Sequence, residues 1–252
     1  KLLDSSVRRD ADVLLLDIED SVPLCDKQQA RDNIKAFVKR DDLNGKLIFP
    51  RVNDRESGEL LKDLHQLTID GVTGFMYPKA TKGEDIYFLG KLLETIEYEK
   101  HIPIGTFKII PLIETAGAIV NIKEICTACH RVCAVTFGCE DYVTDLRGKH
   151  DPDGNSIFFA RNEIVNAAIK ALQDKDIAEL KAAIEAAKEE ASKGVQEAKD
   201  ANAAVLKTLT EDYATKKEVE EVQNALNTAI EALKTDNAQA LQVAVGKIYD
   251  DL

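Results

Sequence analysis

The chain has 252 residues, 44% of them hydrophobic and 31% charged, with a formal net charge of −12. That composition supports one large or two ordinary folded domains and excludes wholesale disorder. The acidic balance excludes a general nucleic-acid surface and a polybasic membrane anchor, which both need clustered Lys and Arg, and no apolar run approaches the length of a membrane span. The sequence begins at Lys1 without a signal-peptide pattern, so a fragment or processed chain is expected. Five cysteines, an odd number, point to reduced thiols and a cytoplasmic setting rather than a disulfide framework.

Taken in chain order, short apolar runs alternate with amphipathic stretches. Val13 to Glu19 (VLLLDIE) reads as a buried strand, and so do Lys46 to Asn53, Gly74 to Lys79, Phe107 to Thr115 and Cys133 to Asp141. Between them, residues 60–70 (LLKDLHQLTID) and 86–99 (IYFLGKLLETIEYE) carry helical periodicity. Strand–helix alternation implies a parallel sheet with right-handed crossovers. Both a β/α barrel and an open doubly wound sheet show this rhythm. Cys126, Cys129 and His130 form a C-x-x-C-H string, the mark of c-type haem attachment. Ile119, Ile122, Cys126, Cys129 and Cys133 fall on one helical face, however, so we expect these thiols to act as small core hydrophobes.

Near residue 170 the vocabulary changes. Every Pro, Phe, Cys and His lies before that point, and the remainder is almost entirely Ala, Glu, Lys, Asp, Gln, Leu and Val. This is the composition of solvated helix. Ile177, Leu180, Ile184, Ala187 and Ala191 recur at heptad spacing, as do Val219, Val222, Leu226, Ala229 and Leu233. Thr215 and Glu218 form a T-x-x-E capping box, so two long helices with a break near 210–215 are expected. They would make a hairpin or a coiled-coil oligomer. We therefore divide the chain into an α/β domain, 1–170, and a helical segment, 171–252.

The chemistry-bearing residues collect where the strands end. Asp17, Glu19 and Asp20 close the first run, Arg51 and Asn53 the second, Glu114 the fourth, and Glu140 and Asp141 the fifth. Acids gathered at one rim repel one another and call for a cation, and all-oxygen ligation favours Mg²⁺ or Mn²⁺ over zinc. Ordinary loop acids and helix N-caps would give the same pattern. An arginine beside such a site can stabilise a developing oxyanion. Lys79, after Pro78 at a strand end, is in position for Schiff-base chemistry, but packing or substrate contact is the expected role.

The ordered set LLLDIEDSVP, K-x-x-AR (Lys27, Ala30, Arg31), PRVN, YPKA, PLIETAGAI and FGCEDYVTDL resembles the citrate lyase β-subunit family, with malyl-CoA and citramalyl-CoA lyase relatives, in the HpcH/HpaI aldolase superfamily. The likeness covers about two-thirds of the chain, in order. It implies a (β/α)8 TIM-type barrel and a Mg²⁺-dependent carbon–carbon lyase, with Mn²⁺ as an alternative ion. Such an enzyme cleaves a citryl-, malyl- or citramalyl-type thioester to a 2-oxo acid and an acetyl-type thioester. By the same resemblance Glu114 and Asp141 are metal ligands, with Glu114 also contacting substrate. Arg51 binds substrate and polarises its carbonyl, and Asp20 lines the site through the metal's water shell. An acyl-CoA or acyl-carrier-protein thioester would be the partner, and a homo-oligomer, with a trimer as one option, the assembly.

The sequence departs from that pattern in several places. The family's opening RSxLFVPG-like strand and its seventh and eighth strands have no counterpart, and the likeness stops at Ala160 to Ala168. Thr81 replaces a usual glutamate, and nothing in 170–252 resembles the family's closing segment. The expected fold is thus an incomplete barrel lacking its first and last strands, followed by all-α structure. A catalytically inactive truncated or chimeric chain, whose helical tail serves assembly, is the alternative function.

Overall fold

The computed structural model describes residues 2–151, 153–212, 220–221, 223–235 and 239. Five strands, β1 (Val13–Asp17), β2 (Leu47–Arg51), β3 (Gly74–Tyr77), β4 (Lys108–Ile113) and β5 (Thr136–Phe137), form one sheet in the order β1-β2-β3-β4-β5. Every pairing is parallel. A doubly wound sheet reverses its strand order at a switch point, whereas sequential order is that of a β/α barrel. The crossovers carry helices α2 (Lys27–Phe37), α3 (Leu60–Leu67), α4 (Gly83–Glu99), α5 (Ala116–Val120) and α6 (Ile122–Thr127), with α1 (Leu2–Val7) before β1 and α7 (Cys139–Asp145) after β5. The fold is α/β with a curled parallel sheet, a partial barrel.

Alternation along the strands separates two apolar layers. Ile48, Phe75, Ile109 and Ile113 face the helices and join the main core with Leu64, Leu89 and Leu93. Phe49, Met76, Ile110 and Leu112 point the other way and form a second, smaller cluster inside the curl. Gly74 shows how closely the strands approach: a Cβ there would lie 2.2 Å from the Lys108 carbonyl oxygen, so no side chain fits.

The strand ends are held by buried ion pairs. Lys27 Nζ donates to the carbonyls of Ile18 (2.8 Å) and Glu19 (2.7 Å), fixing the chain just after β1. Arg31, one turn along α2, donates to Asp63 Oδ1 at 2.7 Å and to Glu59. Asp63 Oδ2 in turn accepts from the backbone N–H (2.8 Å) and side-chain amide (2.7 Å) of Asn53, just after β2. At the opposite end of the sheet Arg131 pairs with Glu97, whose carboxylate also accepts from the Gly105 and Phe107 amides.

Two expectations are corrected here. The fifth run is strand only at Thr136–Phe137, preceded by an isolated bridge between Ile109 and Val132, and Glu140 and Asp141 lie in the first turn of α7. Four residues on β4 (109 to 112) match five on the partner (132 to 136), so one extra residue breaks the ladder. The cysteine face is also shorter than the periodicity suggests. Cys126 is buried on α6 and Cys129 packs against the core after that helix ends, but Cys133 is exposed in the bridging segment.

The chain divides into two compact units, Lys1–Asp174 and Lys175–Leu252. Helix α8 (Asn155–Asp212) belongs to the first as far as Asp174, where Ala160, Ile164 and Ala167 are buried. In the second unit it continues to Asp212, and 223–235 is helical again. Thr215 and Glu218 lie outside the described residues, as do Val219 and Val222. The expected seam is only partly present: Ile177 and Ile184 are half-buried, whereas Ala187, Ala191 and Leu233 are exposed, and Ile230 is buried instead. Among the described residues no helix is long and apolar enough to cross a membrane.

Candidate functional site

The site lies beyond the C-terminal ends of the strands, where parallel registers bring consecutive strand ends side by side. The β1–β2 register sets Asp17 opposite Arg51. Their side chains form a two-pronged ion pair, Nε to Oδ1 and Nη2 to Oδ2, both at 2.6 Å. The Asp17 carboxylate also accepts from the Glu19 and Ser21 amides at 2.9 and 3.1 Å. Burial alone would push the Asp17 carboxyl up, but the Arg51 guanidinium and these amides outweigh it and hold the group well below the usual carboxylate range. With Nε and Nη2 engaged, the Nη1 face of Arg51 keeps only longer contacts, 3.4 Å to Glu19 and 3.9 Å to Asp20.

Glu114 follows β4 directly and is only 3% exposed. Its Oε1 accepts from the Lys79 backbone N–H at 2.6 Å. Burial raises its pKa most; the Lys79 amide and Arg51 oppose, and the charges of Asp141 and Glu19 add to the rise, leaving it at about 7. Gly138 sits against it: a Cβ there would be 3.0 Å from Glu114 Cβ and 3.2 Å from Oε2. Glu114, Asp141, Arg51 and Asp17 line one cavity of about 420 Å³, floored by Met76 and Leu112.

Lys79 stands at the centre of the acids. Its φ of +53° places a non-glycine residue in the left-handed region, which turns its amide toward Glu114. Its ammonium bridges Glu19 Oε1 at 2.8 Å and Asp54 Oδ2 at 3.0 Å, and these contacts, Glu19 first, raise the lysine's pKa. Glu19 is nearly buried; burial raises its pKa, and the pull of Lys79 does not cancel the rise.

The structure thus brings Arg51, Glu114 and Asp141 to one cavity. Asp20 is at the rim, with its carboxylate 59% exposed and its backbone N–H donating to Glu19. The donor set fits a hard divalent cation: one buried carboxylate whose charge is poorly compensated, a second acid close enough to perturb it, and space beside both. Among the described residues no group of three His, Cys, Asp or Glu side chains is arranged to hold a metal. Two protein carboxylates leave positions for water or substrate, as Mg²⁺ sites commonly do. The pairing of Asp17 with Arg51 was readable only once the register of β1 against β2 was known, and the role of Lys79 depends on a backbone conformation its residue type does not announce.

Comparison with known proteins agrees with the partial-barrel fold. A family model described as HpcH/HpaI aldolase/citrate lyase matches residues 1–204. The citrate lyase subunit beta of Escherichia coli (strain K12) is 30% identical over 158 residues, covering 63% of this chain and 52% of that protein. The L-malyl-CoA/beta-methylmalyl-CoA lyase of Rhodobacter capsulatus is 34% identical over 142 residues, 54% of this chain and 43% of that one. The chain therefore spans about half the length of the curated relatives it matches. Among solved structures, the citrate lyase beta subunit of M. tuberculosis complexed with oxaloacetate and magnesium superposes with a TM-score of 0.51 at 25% identity, covering 66% of this chain and 67% of that one. A malate synthase of Haloferax volcanii, at 18% identity and a TM-score of 0.60 over 68% of this chain and 52% of that one, shares the fold.

Proposed function

Because the chain belongs to the HpcH/HpaI aldolase/citrate lyase family, we propose that it carries the centre of a Mg²⁺-dependent carbon–carbon lyase. Its substrate would be a citryl-, malyl- or citramalyl-type thioester on CoA or an acyl carrier protein, and its products a 2-oxo acid and an acetyl-type thioester. The observation that carries this reading is the buried Glu114 carboxyl, held at about 7 beside Asp141 in a cavity that also presents Arg51. Glu114 and Asp141 would hold the ion, which, when bound, supplies Lewis acidity and a template for the oxygens of the 2-oxo acid portion.

This chain's own residues then have distinct tasks. Cleavage removes the proton of the substrate's hydroxyl, breaks the bond between the carbinol carbon and the thioester's α-carbon, and leaves the electron pair as a thioester enolate that is protonated to acetyl. Arg51, oriented by Asp17, offers its Nη1 face to negative charge on substrate oxygen. Glu114, fixed by the Lys79 amide and lining the same cavity, would contact substrate as well as the ion. Asp20, at the exposed rim, would act through water around the ion. A homo-oligomer, with a trimer as one option, is the proposed assembly, in the cytoplasm.

The heptad-spaced helix after residue 170 supports a second reading, an inactive chain whose helical segment serves assembly. Release of 2-oxo acid from citryl-, malyl- and citramalyl-CoA at saturating Mg²⁺ separates the two. The lyase reading predicts release from at least one, abolished by chelation and by Glu114→Ala. It is overturned if none is cleaved and Glu114→Ala leaves ion binding unchanged.

A further inference from the structure

The acids at the strand ends outnumber the two carboxylates assigned to the ion, and Glu19 is the one whose position calls for explanation. It is 4% exposed, follows β1 by two residues, and its charge reaches Glu114. A third acid so placed would give a divalent ion a more anionic, more closed site, with fewer positions for substrate oxygens. What stands between is Lys79, which reaches both acids at once. Its backbone N–H holds Glu114 Oε1 at 2.6 Å, and its ammonium holds Glu19 Oε1 at 2.8 Å with Asp54 as second anchor at 3.0 Å. The other Glu19 oxygen is tied to the Asp20 amide at 2.9 Å and lies 3.4 Å from Arg51 Nη1. Both oxygens of Glu19 are therefore committed within the protein. The left-handed backbone at Lys79 makes the double reach possible, because it aims amide and side chain at acids from different strands.

We propose that Lys79 is a positioning residue that withholds Glu19 from the ion, keeping an open two-carboxylate site on Glu114 and Asp141. This rests on the metal reading above and deepens it. Lys79 contacts neither ion nor substrate in this role; it sets how many protein oxygens the ion meets.

The sign of the predicted effect separates this from simple structural support. Loss of a structural lysine would loosen Glu114 and weaken ion binding. Loss of a withholding lysine frees a carboxylate and strengthens it. The test uses the full chain with Mn²⁺ as probe, measuring free ion by electron paramagnetic resonance and exchangeable waters on bound Mn²⁺ by water-proton relaxation, both without substrate. Lys79→Met is expected to bind Mn²⁺ about 10-fold tighter, within the range by which outer groups shift metal affinity. It should carry about one exchangeable water fewer as Glu19 replaces it. Lys79→Met combined with Glu19→Gln should return both readings to those of the unaltered chain. Equal or weaker binding by Lys79→Met with an unchanged water count overturns the proposal while leaving the metal site standing. An unaltered chain that binds no Mn²⁺ overturns the metal reading and this inference together. Should Lys79→Met fail to fold, Glu19→Gln alone decides. Withholding predicts Mn²⁺ affinity within about 2-fold of the unaltered chain, and a loss of about 10-fold or more means Glu19 is already a ligand.

Discussion

Replacing Glu114 by glutamine is expected to stabilise the metal-free protein at alkaline pH. Glutamine keeps the shape and the acceptor for the Lys79 N–H but removes the charge. In the fold the Glu114 carboxyl titrates at about 7 against 4.5 for an unperturbed glutamate. Below pH about 4.5 folded and unfolded states both hold the proton, so the substitution is neutral there. Between the two values the folded state keeps a proton that the unfolded chain has released, and stability of the unaltered protein falls as pH rises. Above pH about 7 the penalty is complete, and at 1.36 kcal/mol per pKa unit it amounts to about 3 kcal/mol. Glu114→Gln escapes it. Urea unfolding at pH 4.5 and pH 8 in the presence of EDTA measures the difference, and pH effects elsewhere cancel between the two proteins. Saturating Mg²⁺ should reverse the order at pH 8, since ligand at about 1,000 times its dissociation constant stabilises the unaltered fold by about 4.1 kcal/mol and has no site in the variant. A Glu114→Gln protein that is less stable at pH 8, or equally offset at both pH values, would refute the account of Glu114 as an uncompensated buried acid.

Three further outcomes follow from the same geometry. Arg51→Lys keeps a positive charge but cannot reproduce the two-pronged contact with Asp17, so 2-oxo acid release should fall by about 100-fold while circular dichroism stays native. Gly138→Ala places a Cβ 3.0 Å from Glu114 Cβ. It should cost about 1–3 kcal/mol in urea unfolding, and Mn²⁺ titration should show weakened ion binding because Glu114 must shift. Arg31→Met strands the buried acids Asp63 and Glu59 without their cation. Unfolding free energy should fall by about 3–5 kcal/mol, and a loss below about 1 kcal/mol would show that Asn53 and Lys62 satisfy those acids alone.

How far the fold is legible from sequence depends on how each strand is buried. β2 to β4 stand out because strands largely covered on both faces read as apolar runs, and β1 reads the same way although Val13 and Leu15 are exposed. The runs of β1, β2 and β4 carry an acid or arginine at or just past the last strand residue. β5 is obscured because its ladder breaks between Val132 and Thr136, and the same run that reads as strand continues into helix α7, which carries Asp141. Sequential strand order, and hence a barrel rather than an open sheet, is a property of pairing that periodicity does not contain. Arg51, Glu114 and Asp141 were identifiable as candidates through their place at run ends and through motif resemblance. Asp17 was visible as an acid, but its bond to Arg51 depends on register. Lys79 was visible at a strand end and in the YPKA motif, but its double contact with Glu114 and Glu19 was not, since a left-handed φ is unusual for lysine. In the helical segment, heptad spacing suggested Leu226 and Leu233 for the seam; among the described residues of 223–235, Leu226 is half-buried, Leu233 is exposed and Ile230 is buried.

The central claim is that Glu114 and Asp141 together form a divalent-cation site beside Arg51. Mn²⁺ titration of the full chain, followed by electron paramagnetic resonance at pH 8, tests it most directly. One ion per chain is expected, displaced by Mg²⁺ and lost in both Glu114→Gln and Asp141→Asn. Absence of binding, or binding that survives both substitutions, would contradict it.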